Sequence, residues 1–139
     1  MNIAIVGATG NVGRKILEVL EKKELAIDNL YLLASSKSAG SKINFNGNQH
    51  EVIDLETFDF SKVKITFFAA GGKISENFAE IAAKHSLVID NSSFYRMDPD
   101  VPLIVPQVNS DHLNNIKKNI IANPNCSTAQ VYRVSQWIL

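Results

Sequence analysis

The sequence predicts an α/β protein built on a doubly wound, mostly parallel sheet, and three observations carry that expectation. Short, β-branched apolar runs alternate with amphipathic stretches from the first residues onward. Those runs read as buried strands rather than as strands with one wet face. A glycine-rich turn, Gly7 to Gly13, joins the first run to the first amphipathic stretch. The 139 residues suit one domain or part of a larger one, and 45% hydrophobic residues suffice for a core.

Asn2 to Val6 is the first strand, ending at glycine. Asn11 to Lys22 follows as a helix whose apolar face is Val12, Ile16, Leu17, Val19 and Leu20. Leu30 to Ala34 is a second strand, closed by the small polar loop Ser35 to Gly40. Ile43 to Leu55 contains Asn46-Gly47, a common hairpin turn, and reads as an antiparallel pair or an irregular excursion. Ile65 to Ala70 is a third buried strand, closed by Gly71-Gly72. Glu76 to His85 is a helix and Leu87 to Ile89 a strand. Asp98 to Pro106 holds three prolines and reads as extended loop. Ser110 can cap a short helix through Asn115. Ile120 to Ala122 is the last strand, and the residues after Cys126 form a helix.

Composition narrows the function. Fourteen Lys and Arg balance fourteen Asp and Glu, so there is no basic excess to attract nucleic acid or an anionic membrane. No apolar run approaches the ~20 residues of a membrane span, and no signal-peptide pattern opens the chain. The expectation is a soluble cytoplasmic protein. Cys126 is the one cysteine, which leaves no intrachain disulfide. His50, His85 and His112 lack the spacing of a zinc motif, and no metal is expected.

Gly7-Ala8-Thr9-Gly10-Asn11-Val12-Gly13 has the spacing G-x-x-G-x-x-G at a strand–helix junction. Gly7 and Gly10 allow a tight turn and close backbone approach, and Gly13 lets the helix pack on the sheet. The helix N-terminus offers unpaired N–H groups and a positive dipole end to a pyrophosphate. This is the Rossmann-like arrangement for a dinucleotide; the plainer alternative is a structural turn. The second strand ends Leu33-Ala34-Ser35-Ser36-Lys37-Ser38, with no carboxylate to accept from a ribose 2′-hydroxyl. Lys37 and the serine hydroxyls suit a 2′-phosphate instead, favouring NADP over NAD, unless Lys37 is simply a solvated loop lysine. Ala69-Ala70-Gly71-Gly72, at the same edge, leaves room for a cofactor to cross the sheet or makes a tight turn.

Asn123-Pro124-Asn125-Cys126-Ser127-Thr128 lies between a strand and a helix. A cysteine in the first helical turn feels the positive end of the dipole, which favours thiolate. Neighbouring hydroxyl and N–H groups can hold an oxyanion. A lone cysteine is otherwise a small buried hydrophobe. A thiol together with a nicotinamide is equipment for aldehyde–acyl chemistry.

With the glycine loop, Ser36-Lys37-Ser38-Ala39-Gly40, Asn91-Ser92-Ser93, Phe94 to Pro102 and the cysteine segment in this order, the chain resembles aspartate-semialdehyde dehydrogenase from its first residue to about Gln130. Asn125 and Ser127 favour that family over the acetylglutamyl-phosphate reductases. The resemblance implies NADPH-dependent reductive dephosphorylation of L-aspartyl 4-phosphate to L-aspartate 4-semialdehyde, a step in lysine, threonine and methionine biosynthesis. It implies Cys126 as nucleophile, Arg96 on the substrate phosphate and Asn125 positioning substrate. Gly7, Thr9, Gly10, Asn11 and Val12 would surround the pyrophosphate, with Lys37 and Ser38 at the 2′-phosphate and Gly71 beside the cofactor. Without the resemblance, Arg96 reads equally as a surface arginine.

The family continues into a second domain that supplies a general-base histidine, a substrate-carboxylate arginine and most of a homodimer interface. The expectation is therefore an NADP-binding domain over residues 1–130, a divergent tail over 131–139, and a truncated, inactive form. Two other readings stand beside it. One is a non-catalytic NADP-binding remnant or module. The other is a short-chain reductase, disfavoured because Tyr31, Tyr95 and Tyr132 are followed four residues later by Ser35, Pro99 and Gln136 instead of lysine.

Overall fold

The computed structural model describes residues 1–135, with side chains described through residue 131. A seven-stranded sheet runs through the molecule in the order β3-β4-β2-β1-β5-β6-β7. The strands are β1 (Asn2–Val6), β2 (Asn29–Ala34), β3 (Lys42–Phe45), β4 (Asn48–Asp54), β5 (Ile65–Phe68), β6 (Leu87–Asp90) and β7 (Ile120–Ala122). All neighbouring pairs are parallel except β3 with β4. The helices are α1 (Asn11–Lys22), α2 (Gly72–Ala83), α3 (Pro106–Asn109) and α4 (Cys126–Ser135).

Period-2 alternation sends the side chains of each central strand to two cores. Ala4, Val6, Leu33, Phe68, Val88 and Ile120 pack against Ala79, Ala82 and Ala83 of α2. Ile5, Leu32, Ala34 and Val52 meet Leu17 and Leu20 of α1, with Ile43 and Phe45 of the hairpin. The sheet is thus doubly wound, as expected, and the three alanines let α2 lie close to it. The strand order reverses at β1, with β2 on one side and β5 on the other. Ligands of such sheets bind in the crevice beyond the carboxyl ends of the strands at that point.

The hairpin forms at Asn46-Gly47, both with positive φ (49° and 78°), as its turn chemistry requires. Its second strand also joins β2 in parallel, Leu32 opposite Val52 and Ala34 opposite Asp54. Several boundaries differ from expectation. The helix expected from Glu76 starts at Gly72, because Gly71 turns the chain at φ 89° and its carbonyl accepts from Ser75 N at 3.2 Å. Pro106 ends no extended loop; it opens α3, where a missing N–H costs nothing. Ser110 caps nothing, and residues 110–114 form a 3₁₀ turn. Two further 3₁₀ turns, Leu55–Thr57 and Phe60–Lys62, are capped by the Asp54 and Asp59 carboxylates. Residues 102–104 run along the outer edge of β7, with Ala122 N donating to Pro102 O and Ile104 N to Ala122 O, both 3.0 Å. α4 runs across residue 130, and the rest of the expected tail lies outside the described residues.

Candidate active site

The carboxyl ends of β1, β2, β4, β5, β6 and β7 carry every candidate residue. At the end of β1, Gly7 adopts φ 84°, and a Cβ there would come within 2.9 Å of the Ala69 and Ala70 backbone. Only glycine brings the β1 and β5 exits this close together. Gly13 supports the same loop, since a Cβ on it would lie 2.2 Å from Gly7 O. It lets the start of α1 pack onto the turn that directly continues β1. Gly10 differs from both: its φ is −78° and a Cβ would sit at ordinary contact, 3.4 Å from Gly7 O. It is the residue before α1, and no side chain caps that helix. The first-turn amides of Asn11, Val12 and Gly13 therefore lack intrahelical acceptors, and Asn11 and Val12 are exposed. Thr9 lies on the same loop, its carbonyl held by Arg14 Nε at 3.1 Å.

A cavity of about 270 Å³ opens beside this loop, lined by Gly7, Ser35, Asp54, Leu55, Glu56, Ala70, Ile74 and Phe78 among others. Its position between the exits of β1, β2 and β4 is that of an adenosine site in such sheets. Ser35 is the link to the expected 2′-phosphate loop. Lys37 and Ser38 lie just beyond it in a turn closed by Ser38 N and Ala39 N on Ser35 O, at 2.8 and 3.1 Å. Lys37 is exposed and has no ion pair among the described residues. Gly71, at the head of α2, has nothing within 4 Å of where a Cβ would stand. The glycine cradle, the uncapped α1 and this cavity together fit a dinucleotide. Asp54, Leu55, Glu56, Ile74 and Phe78 were not expected here. Their signal in the sequence is faint, because only the parallel docking of β4 on β2 brings residues 54–56 to this edge.

Cys126 is the first residue of α4 and is exposed. Asn125 is that helix's N-cap: its Oδ1 accepts from Ser127 N at 2.9 Å and from Cys126 Sγ at 3.6 Å, while its carbonyl accepts from Ala129 N at 2.9 Å. The thiol thus stands at the positive end of a helix with one acceptor beside it. Arg96 is half-buried between the exits of β6 and β7. Its Nε donates to Asn123 O at 3.0 Å and its Nη2 to Asn91 O at 3.1 Å. Asn123 Nδ2 donates to Asn91 Oδ1 at 2.6 Å, completing the clasp. Arg96 is therefore no loose surface arginine, and among the described residues its remaining N–H groups have no hydrogen-bond partner.

None of the three histidines joins this group. His50 opposes Ile43 in the hairpin and packs edge-on against Phe45. His85 follows α2 at the opposite edge of the sheet, and His112 lies in the 3₁₀ turn after α3. No cluster of metal-ligating side chains occurs among the described residues. Among them, too, no helix is long and apolar enough to cross a membrane.

Residues 2–116 match the family described as semialdehyde dehydrogenase, NAD binding domain. The chain belongs to that family. The aspartate-semialdehyde dehydrogenase of Shewanella sp. (strain DB6705) is 48% identical over 132 residues, covering 94% of this chain and 39% of the relative. Aspartate-semialdehyde dehydrogenase 2 of Vibrio cholerae is 50% identical over 132 residues, with the same two shares, 94% and 39%. Among solved structures, aspartate semialdehyde dehydrogenase II from Vibrio cholerae, complexed with ASA, superposes with a TM-score of 0.91 over 94% of this chain and 43% of that one, at 50% identity. The Candida albicans enzyme with NADP superposes with a TM-score of 0.70 at 26% identity, covering 92% of this chain and 43% of that one. The chain thus spans about 39% of the length of the curated relatives it matches.

Proposed function

We propose that this chain is the NADPH-binding and nucleophile-bearing part of an aspartate-semialdehyde dehydrogenase, acting on L-aspartyl 4-phosphate. The observation that carries the reading is the placement, at the carboxyl ends of one parallel sheet, of the glycine cradle after β1 and of a cysteine at the head of α4 after β7. Gly7, Thr9, Gly10, Asn11 and Val12 surround the pyrophosphate, and the α1 amides donate to it. Leu55, Ile74 and Phe78 form apolar walls for the adenine. Lys37 and Ser38 receive the 2′-phosphate, and Gly71 leaves the cofactor an open path across the β5 exit.

The Cys126 thiolate attacks the acyl carbon of the substrate. The carbon–oxygen bond to phosphate breaks, phosphate leaves as the anion, and a thioester remains on Sγ. Arg96 neutralises the departing phosphate, a task suited to a planar guanidinium held by two carbonyls. The free Nδ2 of Asn125, whose Oδ1 is committed to the cap, donates to the substrate oxygen. When bound, NADPH would supply a hydride, the two electrons and the hydrogen that turn the thioester into the aldehyde as the carbon–sulfur bond breaks and Sγ leaves as thiolate.

Two measurements test this. Titration should show tighter binding of NADPH than of NADH, with Lys37→Ala removing most of the difference. Aspartyl phosphate should add one aspartyl group to the chain by mass, and Cys126→Ser should add none. Equal affinities untouched by Lys37→Ala would sink the cofactor assignment, and absent acylation in a folded chain would sink the nucleophile.

A further inference from the structure

Asp90 lies at the end of β6 with no accessible surface and no ion pair among the described residues. A carboxylate is costly to bury unless donors surround it. Here three do: Ser75 Oγ (2.8 Å) and Ser92 N (2.9 Å) donate to Oδ1, and Ser92 Oγ (2.7 Å) donates to Oδ2. The same residue's carbonyl accepts from Asn123 N at 2.8 Å. Ser92 Oγ in turn accepts from Phe94 N at 3.1 Å, fixing the turn that leads to Arg96. One buried residue thus joins three segments, its carboxylate holding the first turn of α2 and the turn after β6, and its backbone carbonyl the segment that runs into Cys126.

We infer that Asp90 is a positioning residue: by setting the turn at 92–95 against Asn123, it holds the Arg96 guanidinium in its clasp beside the cysteine segment. The acid is needed as such. An asparagine of equal size would put a donor where Oδ2 now accepts, and Ser92 Oγ, which already accepts from Phe94 N, would have to give up its own donation to receive it. The functional weight of the inference rests on Arg96 being the anion-holding group proposed above.

The test uses the 139-residue chain. Hydrogen exchange of the Arg96 Nε proton, followed by NMR, reads the clasp directly. The ratio of Cys126 alkylation rates with iodoacetate and iodoacetamide reads whether a guanidinium favours an anion there; with one cysteine, no other thiol contributes. Asp90→Asn and the milder Ser92→Ala should each speed that exchange by about tenfold or more, the size of a lost hydrogen bond to a charged group. Both should lower the rate ratio to that of Arg96→Gln while leaving the iodoacetamide rate unchanged. Ser92→Ala keeps the experiment decisive if Asp90→Asn fails to fold. Unchanged Arg96 exchange in folded Ser92→Ala overturns the inference. A rate ratio indifferent to Arg96→Gln overturns instead the phosphate role of Arg96.

Discussion

Gly10 and Gly13 stand three residues apart in one motif, yet their substitutions should fail in different ways. Gly13→Ala drives a methyl to 2.2 Å from Gly7 O, so the loop and α1 must separate. Overpacking of that kind costs about 1–3 kcal/mol, and a fall in denaturant midpoint together with loss of NADPH binding is expected. Gly10→Ser has an ordinary φ, 3.4 Å of clearance and a side chain suited to capping. It should hold or raise the midpoint while weakening NADPH, because the hydroxyl takes an amide the pyrophosphate needs. Equal midpoints for the two variants would contradict this. Asn125→Ala should lower stability by about 1 kcal/mol through the lost cap, and should change the Cys126 alkylation rate more than Ser127→Ala does.

Among the elements, the turn after β6 carries a pH signature. Tyr95 is buried, and desolvation, aided by the Glu80, Asp90, Asp98 and Glu76 carboxylates, pushes its phenol up to about 12. A folded value above the ordinary phenol value of 10.0 favours the neutral form, so this stability is full below pH 10 and is lost as pH rises from 10 toward 12. Denaturant midpoints across that window should fall in the parent more than in Tyr95→Phe; parallel curves would refute the assignment. The strands, α1 and the Asn46-Gly47 hairpin were legible because their signals are local: periodicity, β-branching, and a turn residue that tolerates positive φ. The start of α2 was not, since Gly71-Gly72 reads as a breaker until Gly71 is seen to cap the helix. The site divides the same way. The glycine loop and the cysteine segment are contiguous in sequence, whereas the 54–56 wall of the cavity and the Asn91–Arg96–Asn123 clasp depend on long-range parallel pairing.

At the scale of the molecule, the face of the sheet that α1 covers is unevenly protected. A groove of about 260 Å³, lined by Val12, Lys15, Ile16, Val19, Leu20 and Phe67, lies along α1, and Ile65, Leu87 and Ile89 are only half-buried. Continuous apolar surface of this kind promotes association. Sedimentation should show concentration-dependent self-association that Val19→Lys reduces; a monomer at all concentrations would count against it. Turnover should be low, because none of the described histidines reaches the Cys126 edge and a placed base is commonly worth ~10²–10⁴-fold. Phosphate-dependent NADPH formation from aspartate semialdehyde measures this, and a rate within about tenfold of a full-length relative would show that some other group accepts the proton. The cavity beside the glycine loop has one more consequence, in time rather than space. All of its lining residues fall between Val6 and Phe78, whereas Cys126 comes 48 positions later. On the ribosome the half that lines this cavity is complete before Cys126 has been translated, so on the proposed reading a nucleotide can act as a ligand chaperone for the nascent sheet while the thiol does not yet exist to react.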